Sequence, residues 1–151
     1  MALHNEIGKF GEDLATNLLV QKGYKILERN WKIGRLEVDI IAANAEAVAF
    51  VEVKTRTSHF GGKEPEEYIN SDKKWNVSHA AGAYVKINHI EKDIRFDTIA
   101  VVLDPNTQDV VELRHTENAF YPPMRCINSH SYRPENRWYS KAGWKRRKKT
   151  L

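Results

Sequence analysis

The chain holds a single cysteine, Cys126, in 151 residues. One thiol excludes an internal disulfide framework, which suits a reducing compartment. It also excludes a cysteine-rich zinc site, and the histidines (His4, His59, His79, His89, His115 and His130) show no paired metal-ligand spacing. No Gly-x-Ser-x-Gly stretch or Cys/His arrangement points to acyl transfer. "FGGKEPEE" lacks the spacing of a phosphate-binding loop, so Gly61 and Gly62 are expected in a turn and His59 on a solvated loop. No run of about 18 apolar residues exists, which removes a membrane-spanning helix. The start "MALHNEIGKFGEDLA" lacks an apolar signal region, so a cytoplasmic protein with no membrane partner is expected.

Apolar residues make up 41% of the chain, enough for a real core in one domain. Acid is unevenly spread. Residues 1–120 carry 15 Lys and Arg against 19 Asp and Glu, a balance of −4, whereas residues 121–151 carry 9 against 1, a balance of +8. A mildly acidic domain over 1–120 with a basic, aromatic-rich extension over 121–151 points to a polyanionic partner, nucleic acid first. In the extension Tyr132, Trp138, Tyr139 and Trp144 interleave with Arg133, Arg137, Lys141 and Lys145, and "KRRKK" (including Arg146 and Arg147) follows. Rings and cations in alternation suit single-stranded or branched nucleic acid. The same aromatics would equally suit covering a sheet face or a dimer partner.

Periodicity sets the elements. In "EIGKFGEDLATNLLVQKG", Ile7, Phe10, Leu14 and Leu18 recur at helical spacing and Gly23 stops the helix. "YKILERNW" predicts a strand. Arg35 to Ala42 alternates, with Leu36, Val38 and Ile40 facing one way and Glu37, Asp39 and Ile41 the other. "ANAE" is a turn, and Ala47 to Thr55 a third strand. Ser71 is expected to cap a helix running to about Val85. "IRFDTIAVVL" is the most apolar strand and is expected at the centre of the sheet. A turn, "DPNTQD", and a last strand, "VVELRH", complete an αβββαββ order with a mixed sheet. Asp97, alternating with Arg95, is read as half of a structural ion pair.

The stretch "FVEVKTRT", residues 50 to 57, raises the chemical question. Its alternation puts Phe50, Glu52 and Lys54 on one side, and Val51, Val53 and Thr55 on the other. If the second and third strands form a hairpin with an even number of turn residues, Asp39 joins Glu52 and Lys54 on one face. Clustered carboxylates raise at least one pKa unless a cation sits among them. Mg²⁺, which commonly takes one or two carboxylates plus waters and substrate phosphate, is the natural cation. Lys54 would then stabilise transition-state charge or orient the attacking water. It is a poor free base, since an unperturbed lysine has a pKa of ~10.4. Glu12, beside small Gly8 and Ala15 on the first helix, can reach the same end of the sheet. Each acid alone reads as a solvated surface charge; the joint pattern is what points to a site.

At these residues the chain resembles the PD-(D/E)xK nuclease superfamily, and more closely the YraN-like family of predicted endonucleases, relatives of archaeal Holliday-junction resolvases. "GKFGEDLATNLLVQKGYKILERNW", "EVDIIA", "AFVEVKTR", "FGGKEPEE", "RFDTIAVV" and "HTENAF" resemble its successive motifs over about residues 8–120. Leu36 departs from the pattern, standing where the family commonly has glycine. The resemblance implies a restriction-endonuclease-like fold of the α/β class, a mixed central sheet flanked by helices. It implies Asp39 and Glu52 as ligands of Mg²⁺ (or Mn²⁺), Lys54 as the catalytic lysine, and Glu12 as the acid of the first helix. Lys74 falls where the family often has a lysine early in its second long helix; Arg56 and Lys74 join the tail cations as expected nucleic-acid contacts.

The expected function is therefore a metal-dependent endonuclease acting on DNA, with branched or structured DNA as a candidate substrate. A resolvase needs two active sites, which makes a homodimer an expected assembly. The alternative is a non-catalytic nucleic-acid-binding protein with a vestigial site; a subunit that docks on another protein through its aromatic tail is the third class.

Overall fold

The computed structural model describes residues 2–57 and 69–122. Its elements follow the order α1 (Ala2–Gln21), β1 (Lys25–Ile33), β2 (Leu36–Ala43), β3 (Ala47–Arg56), α2 (Ser71–Ile87), β4 (Asp93–Leu103) and β5 (Val110–Thr116). The strands form one mixed five-stranded sheet in the order β1-β2-β3-β4-β5. Only β3 and β4 run parallel, because α2 intervenes as the crossover that parallel neighbours require. Helices α1 and α2 cover opposite faces, in keeping with a restriction-endonuclease-like fold.

The β2–β3 hairpin has the parity that the site requires. Ala43 pairs with Val48 and Ile40 with Val51, leaving four residues in the turn. Asn44 closes it, its side-chain oxygen accepting the N–H groups of Glu46 and Ala47 at 2.9 and 2.8 Å. An Asx turn of this kind supplies the backbone with local partners where the ladder stops.

On one face α1 packs through Ala15 and Leu19 against Ile40, Ala49, Val51, Ile99 and Val101. Fully burying a leucine such as Leu19 contributes roughly 1.5–3 kcal/mol. Phe10, expected in this stripe, is 44% exposed. Small residues occupy the line of closest approach instead: a Cβ built on Gly11 would overlap Thr55 Oγ1. No larger side chain fits there, so the bulky residues flank the contact.

The other face is an aromatic core. Tyr84 of α2 meets Trp31 and Phe50 edge-on, with centroids 5.1 and 5.9 Å apart, and Phe96 stacks on Phe120 at 5.3 Å. Strand β4 is buried along almost its whole length, yet it lies second from the edge. β3 takes the centre expected for it. Burial on both faces makes a strand apolar, and β4 achieves it because Ile94 and Phe96 pack into one core and Ile99, Val101 and Leu103 into the other.

A polar network ties β4 to its surroundings. Asp97, fully buried, receives Nε and Nη2 of Arg95 at 2.8 Å each, His115 Nε2 at 2.7 Å and the Asn118 N–H at 3.0 Å. Arg95 also donates to the Tyr24 hydroxyl, and Lys22 Nζ lies 2.6 Å from His115 Nδ1. The expected ion pair is present, as the centre of a larger network. It holds the Asp97 carboxyl below its ordinary value: burial alone would raise it, but His115 and Arg95 outweigh that.

Candidate active site

Helix α2 begins one residue earlier than the sequence suggests. Its cap is Asn70, not Ser71; the Asn70 side chain accepts the Lys73 N–H at 2.8 Å. The helix then extends to Ile87, two residues past the expected end. Lys73 Nζ stands 3.2 Å from Glu52 Oε1. Lys74, the sequence candidate, sits about 100° further round the helix.

Glu52 is 2% exposed. Its Oε1 faces Lys73 and, at 4.0 Å, Lys54 Nζ. Its Oε2 is buried with no hydrogen-bond partner among the described residues. Burial and then the neighbouring Asp39 charge push the Glu52 carboxyl up to about 8, although Lys73 and Lys54 pull the other way. For Lys73 burial favours the neutral amine, yet Glu52, Asp39 and Glu37 outweigh it and raise its pKa.

Asp39 is 9% exposed and sits where the hairpin opens. The ladder between β2 and β3 ends at Ile40 and Val51; beyond it the Asp39 Oδ2 takes over the Val53 N–H at 2.9 Å. The expected alternation fails at this point. Ile40 packs on the α1 side, but Val38, two residues away, packs on the α2 side. In a regular strand the two would share a face. The pairings Arg29–Ile40 and Trp31–Val38 put Asn30 opposite Asp39, and Asn30 has a left-handed φ of 48°. Asparagine tolerates that conformation, so the kink is written into β1 as well as β2.

Glu12 reaches the same region from α1. Burial, Asp39 and Glu37 raise its pKa, while a hydrogen bond from Asn30 and the Arg29 charge oppose them. Arg29 Nη2 is 3.9 Å from Glu12 and 2.7 Å from Asp13. Glu12, Asp39, Glu52 and Lys54 thus belong to one electrostatic cluster, and Lys73 and Asn30 join it without having been singled out in the sequence. Asn30 carried a signal, since asparagine is depleted in strand interiors. Arg56 lies at the end of β3, its Nη1 donating to the Thr55 carbonyl at 3.2 Å. Arg133, Arg137, Lys145, Arg146 and Arg147 lie outside the described residues, as do His59, Gly61, Gly62, Cys126 and the tail aromatics.

Among the described residues no group of three or more His, Cys, Asp and Glu could by itself hold a metal ion. Two carboxylates do converge, and one of them keeps a buried oxygen without a partner. An all-oxygen pair with a spare acceptor fits Mg²⁺ or Mn²⁺, which complete their shells with water and substrate oxygens; it does not fit a closed zinc or calcium cage. Also among the described residues, no helix is long and apolar enough to cross a membrane.

Comparison with known proteins assigns the chain to a family. The family described as "Uncharacterised protein family UPF0102" matches residues 11–101, a span from Gly11 to Val101 that contains Glu12, Asp39, Glu52, Lys54 and Lys73. A UPF0102 protein of Flavobacterium psychrophilum is 43% identical over 122 residues, covering 80% of this chain and 98% of that protein. One from Bacteroides thetaiotaomicron is 40% identical over 124 residues, 82% and 99% of the two chains. One from Porphyromonas gingivalis is 39% identical over 137 residues, 91% and 98%. With a family match across most of the folded domain and relatives matched over nearly their full length, the chain belongs to the UPF0102 family.

Proposed function

We propose that this protein is a metal-dependent endonuclease of the PD-(D/E)xK type that hydrolyses phosphodiester bonds in DNA. The observation that carries the reading is Glu52: a buried carboxyl beside Asp39, pushed up to about 8, with one oxygen unpartnered. A carboxylate pair so placed is costly unless a cation joins it. Asp39 and Glu52 would hold Mg²⁺ or Mn²⁺, which supplies charge neutralisation at a phosphate and acidifies a bound water.

The chain's own residues do the rest. The Val53 N–H fixes the Asp39 carboxylate. Lys54 holds a positive charge at the mouth of the site, where it would stabilise charge developing on the transferred phosphate. Glu12, raised by burial and by Asp39, is a candidate to orient water or a second ligand oxygen. The +8 balance of residues 121–151 would concentrate the polyanion near a domain that is otherwise net acidic.

The test is a panel of linear, flapped, branched and single-stranded substrates with Mg²⁺ or Mn²⁺, run beside Asp39→Asn. Cleavage by purified Asp39→Asn at the wild-type rate would refute the assignment. One observation favours the alternative of a non-catalytic nucleic-acid-binding protein with a vestigial site: Lys73 already pairs with Glu52 Oε1. A divalent-ion titration that finds no binding at the two carboxylates would select that alternative.

A further inference from the structure

Among the described residues, a concavity lined by several cations lies on an otherwise net acidic domain. A groove of about 710 Å³ runs between the N-terminal half of α1, the middle of β1 and the end of β3. Lys9, Arg29, Lys54 and Arg56 line it against the single carboxylate of Glu12. Residues 1–120 as a whole carry four more acids than bases; within the groove Arg29 is matched by Asp13 at 2.7 Å and Lys54 faces Glu52 at 4.0 Å, so Lys9 and Arg56 are the cations the groove adds beyond those pairs. Lys54 and Glu12 line the groove and also adjoin the carboxylate pair, Lys54 at 4.0 Å from Glu52 and Glu12 within the field of Asp39, so the groove lies beside the site.

Size decides what can enter. A volume of this order, within the ~300–1,000 Å³ of small-molecule clefts, admits a few linked nucleotides but not the body of a duplex. The described walls include no Phe, Trp or Tyr; besides the charged groups they present His4, Asn5, Asn30 and Thr55, with Ile7 and Val53. That lining suits a phosphate–sugar chain more than it suits stacked bases, for which His4 is the single ring. Gly8 lies on the helical face that walls the groove, and a Cβ added there meets nothing within 4 Å. A side chain at position 8 would therefore project into open groove space rather than into the core. Glycine in mid-helix is otherwise a liability relative to alanine; here it keeps the channel clear.

We infer that this groove takes a single-stranded segment of the nucleic acid, a flap or splayed arm, and feeds it to the carboxylate pair. The inference deepens the nuclease reading above and rests on it only for the cleavage step, since binding of the strand is separately measurable. Among candidate substrates it selects those with an unpaired arm at the scissile position over continuous duplex.

The experiment measures fluorescence anisotropy of the full-length protein with a blunt DNA duplex and with the same duplex carrying a single-stranded arm, without metal. Gly8→Trp, Gly8→Ala and Lys9→Ala are compared with wild type, with circular dichroism to verify folding. The basic tail is present throughout, so it contributes alike to every variant. Wild type should prefer the armed substrate. Gly8→Trp should lower armed-substrate affinity by about tenfold or more and leave the blunt duplex little changed. Gly8→Ala, which adds one methyl and favours the helix, should keep the preference. Lys9→Ala should flatten the log–log salt dependence for the arm by ~0.7, one phosphate contact on a single strand. Equal affinity of wild type for blunt and armed DNA, or a folded Gly8→Trp that binds as wild type does, overturns the inference. If that happens while cleavage still depends on Asp39, the nuclease reading stands and the groove assignment falls. If arm preference vanishes in Gly8→Trp but no substrate is ever cleaved, the groove stands and the nuclease reading falls.

Discussion

The ammonium of Lys73 stands 3.2 Å from Glu52 Oε1, while Glu52 Oε2 has no hydrogen-bond partner among the described residues. The lysine arrives from the first turn of α2, where the Asn70 cap fixes its N–H. One oxygen is thus compensated from within the protein and the other is left for something else. Lys73 lowers the Glu52 pKa against a larger upward push from burial. Lys73→Met is therefore expected to move the Glu52 titration above about 8, read by carboxyl NMR of the metal-free protein. An unchanged titration would show that the pair does not form in solution.

The same carboxyl gives the metal-free protein an unusual pH dependence. The folded-state pKa of Glu52 is raised from 4.5 to about 8. Its stabilising contribution is complete below the unfolded value and is lost as pH rises through the folded one. The loss amounts to a few kcal/mol, since each tenfold change in proton affinity is worth ~1.4 kcal/mol. Asp97, with a lowered pKa, works at the acid end and does not overlap this window. In EDTA, Glu52→Gln should therefore gain in Tm over wild type as pH is raised from about 5 to about 9. Mg²⁺ should restore wild type and not the variant. Parallel Tm curves for the two proteins across that range would contradict the assignment.

Two substitutions separate holding the ion from using it. Asp39→Asn should abolish cleavage and weaken Mn²⁺ binding, since it removes a proposed ligand. Lys54→Ala should leave Mn²⁺ binding intact and reduce turnover by about 10²–10³, as for other donors that act on transition-state charge. Ion titration beside single-turnover kinetics distinguishes them. Loss of ion affinity in Lys54→Ala, in step with activity, would make Lys54 a positioning residue for Glu52.

Much of this was legible in the sequence, for identifiable reasons. Alternation placed Glu52 and Lys54 together, and the four-residue turn closed by Asn44 brought Asp39 to them. Local signals failed where one residue of phase mattered. Asn70 and Ser71 are both good caps, and the helix uses the earlier one; Lys74 is expected from the resemblance, and the lysine that meets Glu52 is its neighbour, Lys73. The reversal between Val38 and Ile40 was illegible from β2 alone, because its counterpart, Asn30, lies on the neighbouring strand. Similarly, Phe10 fits a helical stripe on spacing, but only the tertiary contact reveals that Gly11 must face Thr55.

That contact is itself testable. A methyl at position 11 would overlap Thr55 Oγ1, next to Lys54. Gly11→Ala should destabilise the protein by about 1–3 kcal/mol, as overpacking does, even though alanine favours a helix. Thr55→Ala in the same chain removes the clashing hydroxyl, although the Thr55 Cβ stays 3.1 Å from the added methyl. Most of the loss should then return, giving a favourable coupling energy in a double-mutant cycle of thermal melts. Simple additivity of the two substitutions would mean that α1 can shift away from β3 at little cost.

Asp97 offers the sharpest separation of stability from chemistry. Its carboxylate is fully buried, and it accepts from Arg95, His115 and the Asn118 backbone, which draws together β4, β5 and the turn that follows. Replacing it by alanine leaves the Arg95 guanidinium, 9% exposed, with the more distant Glu117 carboxylate at 3.7 Å as its remaining acidic partner. Removing one partner from a buried charge pair typically costs about 3–5 kcal/mol. Asp97→Ala should lose that much in urea unfolding at neutral pH. It should also lose part of the acid sensitivity of wild type, because a carboxyl held below its ordinary value gives up stability only as pH falls through its folded pKa. At a temperature where the variant remains folded, Mn²⁺ affinity should match wild type, since Asp39 and Glu52 lie on β2 and β3 and the network does not include them. A variant with wild-type stability and lost ion binding would reverse the assignment and make Asp97 part of the site.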